Sequence, residues 1–456
     1  MLVPMLNVIW LLMLLVAVLV GGFGGRLDAM TEGAFATAKS AVMDIALPLV
    51  GLMAIWMGMM RLAERAGLVQ SLARGLRPVM RRLFPEVPED HPAMGAMVLN
   101  MAANMLGLGN AATPLGLRAM ALLQKLNPHP TVASNSMVTF LAVNTASLQL
   151  IPTTAISILA IQGARNASII VVPALLATAV AMTCGIFAAR VLSRLRIFDV
   201  TSDATAVQEP AVDLKETEIE VEKIRPSPMT VLGRVALAGY VLAMIVIFFA
   251  LVWPDAANAL PRTLGWRWSY GDFWPGLGSG MRIMRAISIM AVPCILGFFP
   301  LLAWLRGVNV YEQFCEGAKE AFATAQRIIP FLVAMLVAIR LLREAGVVQM
   351  VTDGLRPALD AVGFPADLLP LALMRPLSGS ASQGIFVDLV KTHGADSMIS
   401  RMAATIYGST ETTFYVLAVY FGSVGIRRTR HAVIAGLTAD LVAIASAVGA
   451  CWLLTR

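Results

Sequence analysis

Five apolar runs, Leu2 to Val20, Ile169 to Ala189, Val231 to Val252, Ile283 to Leu305 and Val433 to Leu454, each approach or exceed the roughly 20 residues that span a hydrocarbon core. That repetition limits the fold before any motif is considered. A backbone in lipid must satisfy its own amides, and in a chain of long runs, not alternating ten-residue strands, the helix is the solution. Composition agrees: 58% of the 456 residues are hydrophobic and 14% charged, with a mean hydropathy of +0.75. The expected class is an all-α polytopic membrane protein. The first run has no positive n-region, and GGFGGRLDAM behind it is a poor cleavage site, so it reads as a helix and not as a signal peptide.

The net charge of +7 does not point to nucleic acid, because the arginines gather at the ends of apolar runs, where they set topology. Cys184, Cys294, Cys315 and Cys451 are far apart, with no CxxC or Cys/His spacing, so neither a disulfide framework nor a metal site is expected. Thr201 to Pro228 is acidic, Pro-bearing and poor in aromatics, and both flanks are positive (Arg190, Arg194, Arg196; Lys223, Arg225, Arg234). The chain therefore divides into a membrane half over 1–200, a cytoplasmic linker over 201–229 and a second membrane half over 230–456. Trp253, Trp266, Trp268, Tyr270 and Trp274 suit the opposite, outer interface.

A repeat crosses the linker. Arg61 to Gln70 (RLAERAGLVQ) returns as Arg340 to Gln349 (RLLREAGVVQ), GLRP at Gly75 to Pro78 returns at Gly354 to Pro357, and Phe-Pro follows each, at Phe84 and Phe364. The charges differ: Arg61 to Arg82 carries six arginines against Glu64, whereas the second copy sets Arg340, Arg343 and Arg356 against Glu344, Asp353 and Asp360. With the trace of the spans, this predicts two related halves of inverted topology, an arrangement that places a transport site at the repeat interface near the midplane.

Each copy leads into polar tracts, which at membrane depth persist only where protein or a water-filled cavity receives them. In the first, Asn100 and Asn104 share a helix face, and Gly107, Gly109 and Pro114 interrupt the helix, with Pro114 expected in a first turn capped by Thr113. Together with Asn110, the N-terminus of that half-helix suits a polar or anionic group; packing of small and amide residues between helices is the alternative. A second break places Asn144 and Thr145 in an apolar run that ends at Pro152. In the second half, Arg375, Ser378, Ser380 and Ser382 alternate through a Gly-containing loop that resembles an anion nest but lacks the Walker lysine. Ser409, Thr410, Glu411, Thr412 and Thr413 follow. Glu411 is the sharpest single residue, because a carboxylate at membrane depth binds a cation, carries a proton, holds a polar substrate or pairs structurally, here with Arg375 or Arg401. Asp388 and Asp440 are weaker candidates, nearer helix ends.

No catalytic constellation is present in the sequence. His91, His129, His393 and His431 are dispersed, HExxH and a strand-to-helix GxSxG are absent, and Ser380 has no neighbouring histidine. The chain is not expected to be an enzyme or to need a cofactor; a membrane-embedded hydrolase is the enzyme-class alternative.

At these residues the chain resembles a known family. NMAANMLGLGNAATPLGLRAM (Asn100 to Met120) is similar to the signature of spore maturation protein A. RPLSGSASQG (Arg375 to Gly384) with ADSMISRMAATIYGSTETTFYVLAVYFGSVGIRRTRHA (Ala395 to Ala432) is similar to that of spore maturation protein B, and the two look fused through the linker. Gln383 stands where a small or aliphatic residue is expected. The resemblance implies a nucleoside-recognition, or Gate, domain and a multi-pass protein of the inner membrane, associated with spore-core dehydration where spores form. It does not fix a substrate. The expected function is transport of a small polar solute through a site made by both tracts, with a coupling proton or cation and a second copy of the chain as candidate partners besides the lipid bilayer. The alternative is a non-transporting envelope scaffold.

Overall fold

The computed structural model describes residues 2–107, 109–198, 227–263, 274–361 and 363–455. Most of the acidic linker, and with it Trp266, Trp268 and Tyr270, lies outside them. The described residues form helices and no strand; one isolated bridge joins Val132 to Arg428. Among the described residues, five helices are long and apolar enough to cross a membrane, or up to seven if two bent pairs each count as one.

Four of those five coincide with the apolar runs of the sequence. The fifth, Leu27–Arg65, is a continuous span that Glu32, Lys39 and Asp44 conceal from a composition reading. It consists of α2 (Leu27–Ser40), a π turn (Ala41–Ala46) and α3 (Leu47–Arg65). The π turn has a local cause. Pro48 cannot donate to the carbonyl four residues back, and just before it the Leu47 N–H reaches five residues back to the Val42 carbonyl, so the wider turn carries the chain past the proline. The first apolar run is itself a helix, α1 (Leu2–Phe23).

The repeat extends to the whole architecture. In the first copy α3 ends at Gly67, in the left-handed region at φ 73°; in the second, α13 (Val310–Glu344) ends at Gly346, at φ 83°. Amphipathic helices follow, α4 (Leu68–Leu83) and α14 (Val347–Ala361), with Pro78 and Pro357 inside them. Next come the first broken pairs, α5 (Pro92–Met105) with α6 (Gly109–Lys125) and α15 (Leu369–Met374) with α16 (Gly379–His393). The second broken pairs are α7 (Asn135–Ala146) with α8 (Thr153–Ile161) and α17 (Met398–Ser409) with α18 (Thr413–Ser423). Both α7 and α17 start on a serine cap: Ser134 Oγ accepts from Met137 N, and Ser397 Oγ from Ser400 N. The closing spans are α9 (Val171–Leu192) and α19 (Ala432–Leu454). Between the copies lie α10 (Val231–Val252), α11 (Pro254–Thr263) and α12 (Ser279–Leu305). Trp274 is buried against Val252 and Ala286 there.

Equivalent elements pack on each other, as an approximate internal twofold requires: α3 on α13, α9 on α19, and reciprocally α7 on α19 and α17 on α9. At the α3–α13 crossing a Cβ on Gly58 would stand 2.6 Å from the Phe314 ring, and one on Gly317 would stand 2.6 Å from the Met57 carbonyl. Along α9 and α19 the contact is made by small residues instead; a Cβ on Gly185 would stand 3.0 Å from that of Ala439.

Two cores result, and each borrows from the other copy. The core around α5 to α7 takes in Val416, Leu417, Tyr420 and Phe421 of α18. The core around α15 to α17 takes in Ala155, Ile156, Ile158 and Leu159 of α8. The second half of each second broken pair, α8 and α18, is thus exchanged across the twofold, and the breaks themselves fall where the copies meet.

Candidate functional site

The first copy closes its break with amides. Asn100 is fully buried and its Nδ2 donates to the Ala112 carbonyl at 2.7 Å, joining α5 to α6 across the reversal at Gly107, which is at φ 75°. One turn on, Asn104 Nδ2 donates to Asn144 Oδ1 at 3.0 Å, and Asn144 Nδ2 donates to the Phe140 carbonyl at 2.9 Å. Tyr420 of the second copy donates to the same Asn144 Oδ1 at 3.4 Å while its ring stacks on Phe140. The expected cap differs: α6 begins at Gly109, so Thr113 and Pro114 lie inside it. The left-handed Gly107 makes the reversal before the proline is reached, and no cap at Thr113 is needed. Asn110 lies in the first turn of α6; its side chain is outside the described residues.

The second copy closes its break with a cation. Arg375 is 4% exposed and serves three acceptors at and beyond the end of α17: the Tyr407 carbonyl at 3.0 Å, the Thr410 carbonyl, and Thr412 Oγ1 at 3.4 Å. Its guanidinium lies over the Tyr407 ring, 4.8 Å from the centroid. Carbonyls at a helix C-terminus carry partial negative charge, so a buried arginine there is compensated without a carboxylate. The anion nest expected of the serines is not formed. Ser378 caps α16 by accepting from Ala381 N at 3.2 Å, and Ser380 and Ser382 lie in its first turns, with Ser382 Oγ bonded back to the Ser378 carbonyl at 2.6 Å. Ser409 Oγ likewise returns to the Ile406 carbonyl at 3.2 Å.

The breaks meet in one place. Glu411 lies in the extended link between α17 and α18, and its N–H donates to the Thr145 carbonyl at the end of α7, at 2.8 Å. Its carboxylate pairs with neither predicted arginine: Arg375 is committed as above, and Arg401 Nη1 donates to the Thr455 carbonyl at 2.5 Å. Instead it lies within electrostatic reach of Tyr407, Tyr420 and Asp440. Asp440 is not near a helix end but buried within α19, where it accepts from Thr413 Oγ1 at 2.6 Å. Asp388 is held by Arg343 and lies apart from this centre.

Several buried polar atoms around the meeting point make no hydrogen bond among the described residues, namely Thr145 Oγ1, Ser147 Oγ, Thr410 Oγ1 and Asp440 Oδ1, and neither does Gln383 Nε2 in the second turn of α16. Ser147 is also at φ 36°, one of two non-glycine residues in the left-handed region among the described residues. Of the predicted set, Asn104, Asn144, Thr145, Thr410 and Glu411 come together here. Arg375, Ser378, Ser380, Ser382 and Thr412 form a neighbouring cluster, and Asn100 lies one turn below. Sequence reasoning left out Tyr420, whose available signal was a tyrosine inside an apolar helix, and ranked Asp440 only as a weaker candidate. Among the described residues no three His, Cys, Asp or Glu side chains are grouped to hold a metal ion.

The fold and this site define a multi-pass membrane protein built on a duplicated set of broken helices. Residues 46–162 and 325–427 match the Gate family model, described as nucleoside recognition, and these segments run from α3 to α8 and from α13 to the end of α18. The chain is 44% identical over 168 residues to spore maturation protein B of Bacillus subtilis (strain 168), covering 37% of this chain and 94% of that protein. It is 42% identical over 174 residues to spore maturation protein A of the same organism, covering 38% of this chain and 88% of that protein. The chain belongs to the spore maturation protein A and B family, with both joined in one polypeptide. A solved structure, the Alcanivorax borkumensis YdaH transporter, aligns over 91% of this chain and 87% of its own at 13% identity, with a TM-score of 0.37.

Proposed function

We propose that this protein moves a small polar solute across the inner membrane through the site where the two breaks meet, with Thr145, Thr410, Gln383 and Asp440 contacting the solute and Glu411 binding it or a coupling proton. The observation that carries this reading is the cluster of buried polar atoms without partners beside Glu411, whose carboxylate makes no direct ion pair among the described residues. Buried polar groups are ordinarily satisfied, and a group left open at membrane depth marks a ligand path. Inverted topology of the two copies fits alternating access, with one copy rocking on the other. The Gate description makes nucleosides the first solutes to try.

A scaffold reading has its own support: Asn100, Asn104, Asn144, Arg375, Ser378, Ser382 and Ser409 are all bonded within the protein. In that reading the polar groups lock helices, or two copies of the chain, together. Thermal stability of the purified protein against nucleosides, amino acids, short peptides, dicarboxylates and divalent cations separates the two, since a ligand that binds only the folded state raises stability. Stabilisation by one class that is lost in Glu411→Gln supports transport. No stabilisation by any class, with a variant as stable as the parent, overturns it.

A further inference from the structure

The amphipathic helices α4 and α14 begin with the same sequence but sit differently on their copies. In α4, Val69, Ala73 and Met80 are buried and the helix packs on α5. In α14 no described residue is buried. The apolar pattern is nonetheless kept: Leu72 and Leu76, packed against the first core, correspond in the repeat to Val351 and Leu355, which are 50% and 42% exposed. Between α14 and the α15–α16 pair lies a cavity of about 650 Å³, within the size range of sites that enclose a small ligand.

The chemistry of that cavity is lopsided. Val348, Val351, Leu373 and Leu389 make apolar walls, and the exposed Leu373 and Val351 are on its rim. Its polar lining is Arg343, Asp388, Thr392, His393, Asp367 and Gln349. Arg343 pairs with Asp388 and donates through Nη1 to Thr392 Oγ1 at 2.6 Å, leaving Nε without a partner; His393 Nε2 is 3.8 Å from Asp367. Arg343 is the one fixed cation of this lining and faces the carboxylates of Asp388 and Asp367, so there is no excess positive charge for a free anion. A neutral carbonyl needs only a donor.

We propose that this cavity holds one acyl chain of a membrane phospholipid, its ester end at Arg343 and Thr392 and its methylenes along the apolar walls. The lipid chain takes the place against the broken pair that α4 fills in the first copy. Apolar surface of this extent in a spanning protein is stable when lipid covers it, and the lack of excess positive charge selects a bound ester over a free fatty acid.

The test uses the full chain in nanodiscs of phosphatidylethanolamine and phosphatidylglycerol, doped with phosphatidylcholine bearing a diazirine near the end of one acyl chain. After irradiation, labelled peptides are mapped by mass spectrometry. Labelling of 347–389 several-fold above that of the equivalent stretch 68–115 is expected, and Val348→Trp or Leu389→Trp should bring it down to the first-copy level without changing the labelling of α10. Equal labelling of the two copies in the parent protein overturns the proposal without recourse to a variant. So does preferential labelling by a free diazirine fatty acid, which would make the ligand an anion.

Discussion

The two copies solve one structural problem with different chemistry. Breaking a helix in a membrane frees carbonyls and amides that lipid cannot satisfy. The first copy answers with short neutral links, Asn100 to Ala112 and Asn104 to Asn144. The second answers with one guanidinium that reaches Tyr407, Thr410 and Thr412. The order of broken helices is common to both copies, whereas the groups that turn and finish the breaks differ, from a left-handed Gly107 in the first to a Ser378 cap in the second. The amide solution spreads the task over several residues; the cationic one concentrates it in one.

The largest expected effect follows from that concentration. Arg375→Leu leaves several buried acceptors unpaired and is expected to destabilise the protein by about 2–4 kcal/mol, seen as a lower unfolding midpoint in detergent; a loss no larger than that of a first-copy asparagine would erase the distinction. Next is Gly408→Ala, where a Cβ would stand 2.6 Å from Pro152 of the other copy, with an expected cost of about 1–3 kcal/mol from overpacking. In the first copy, Asn104→Leu or Asn144→Leu should each cost about 1 kcal/mol, as is usual for hydrogen bonds between membrane helices. The double variant should cost less than the sum, and full additivity would show that the pair is not coupled. The smallest effect has the opposite sign. Ser147→Gly relieves a left-handed serine and removes an unpartnered hydroxyl, and should raise stability by about 0.5–1 kcal/mol.

The membrane class, the repeat and four of the five long spans could be read from the chain, because run length and a ten-residue match survive any packing. The span Leu27–Arg65 could not, since three charges on one helix look the same whether they end a span or ride within one. Glu411 and Thr145 were legible as polar residues in apolar runs, but their contact across 266 positions depends on the exchange of α8 and α18 between cores, which no local pattern reports. The serines of α16 misled for a related reason. Ser-Gly-Ser can be a nest or a capped helix start, and only the bond from Ala381 N to Ser378 decides. Gln383, a departure from the pattern that the resemblance implies, is buried in the second turn of α16 with its Nε2 unpartnered.

The two self-paired contacts, α3 with α13 and α9 with α19, are mechanically unlike. At the first, Phe314 lies against the Gly58 backbone and the Met57 carbonyl presses on Gly317, so neither helix can slide without driving a ring or a peptide into its neighbour. Alanines and a glycine line the second, a smooth track with nothing to catch on. On the transport mechanism proposed above, the first contact would serve as the pivot and the second as the bearing, a swing about Gly58 and Gly317 with its travel along Gly185 and Ala439.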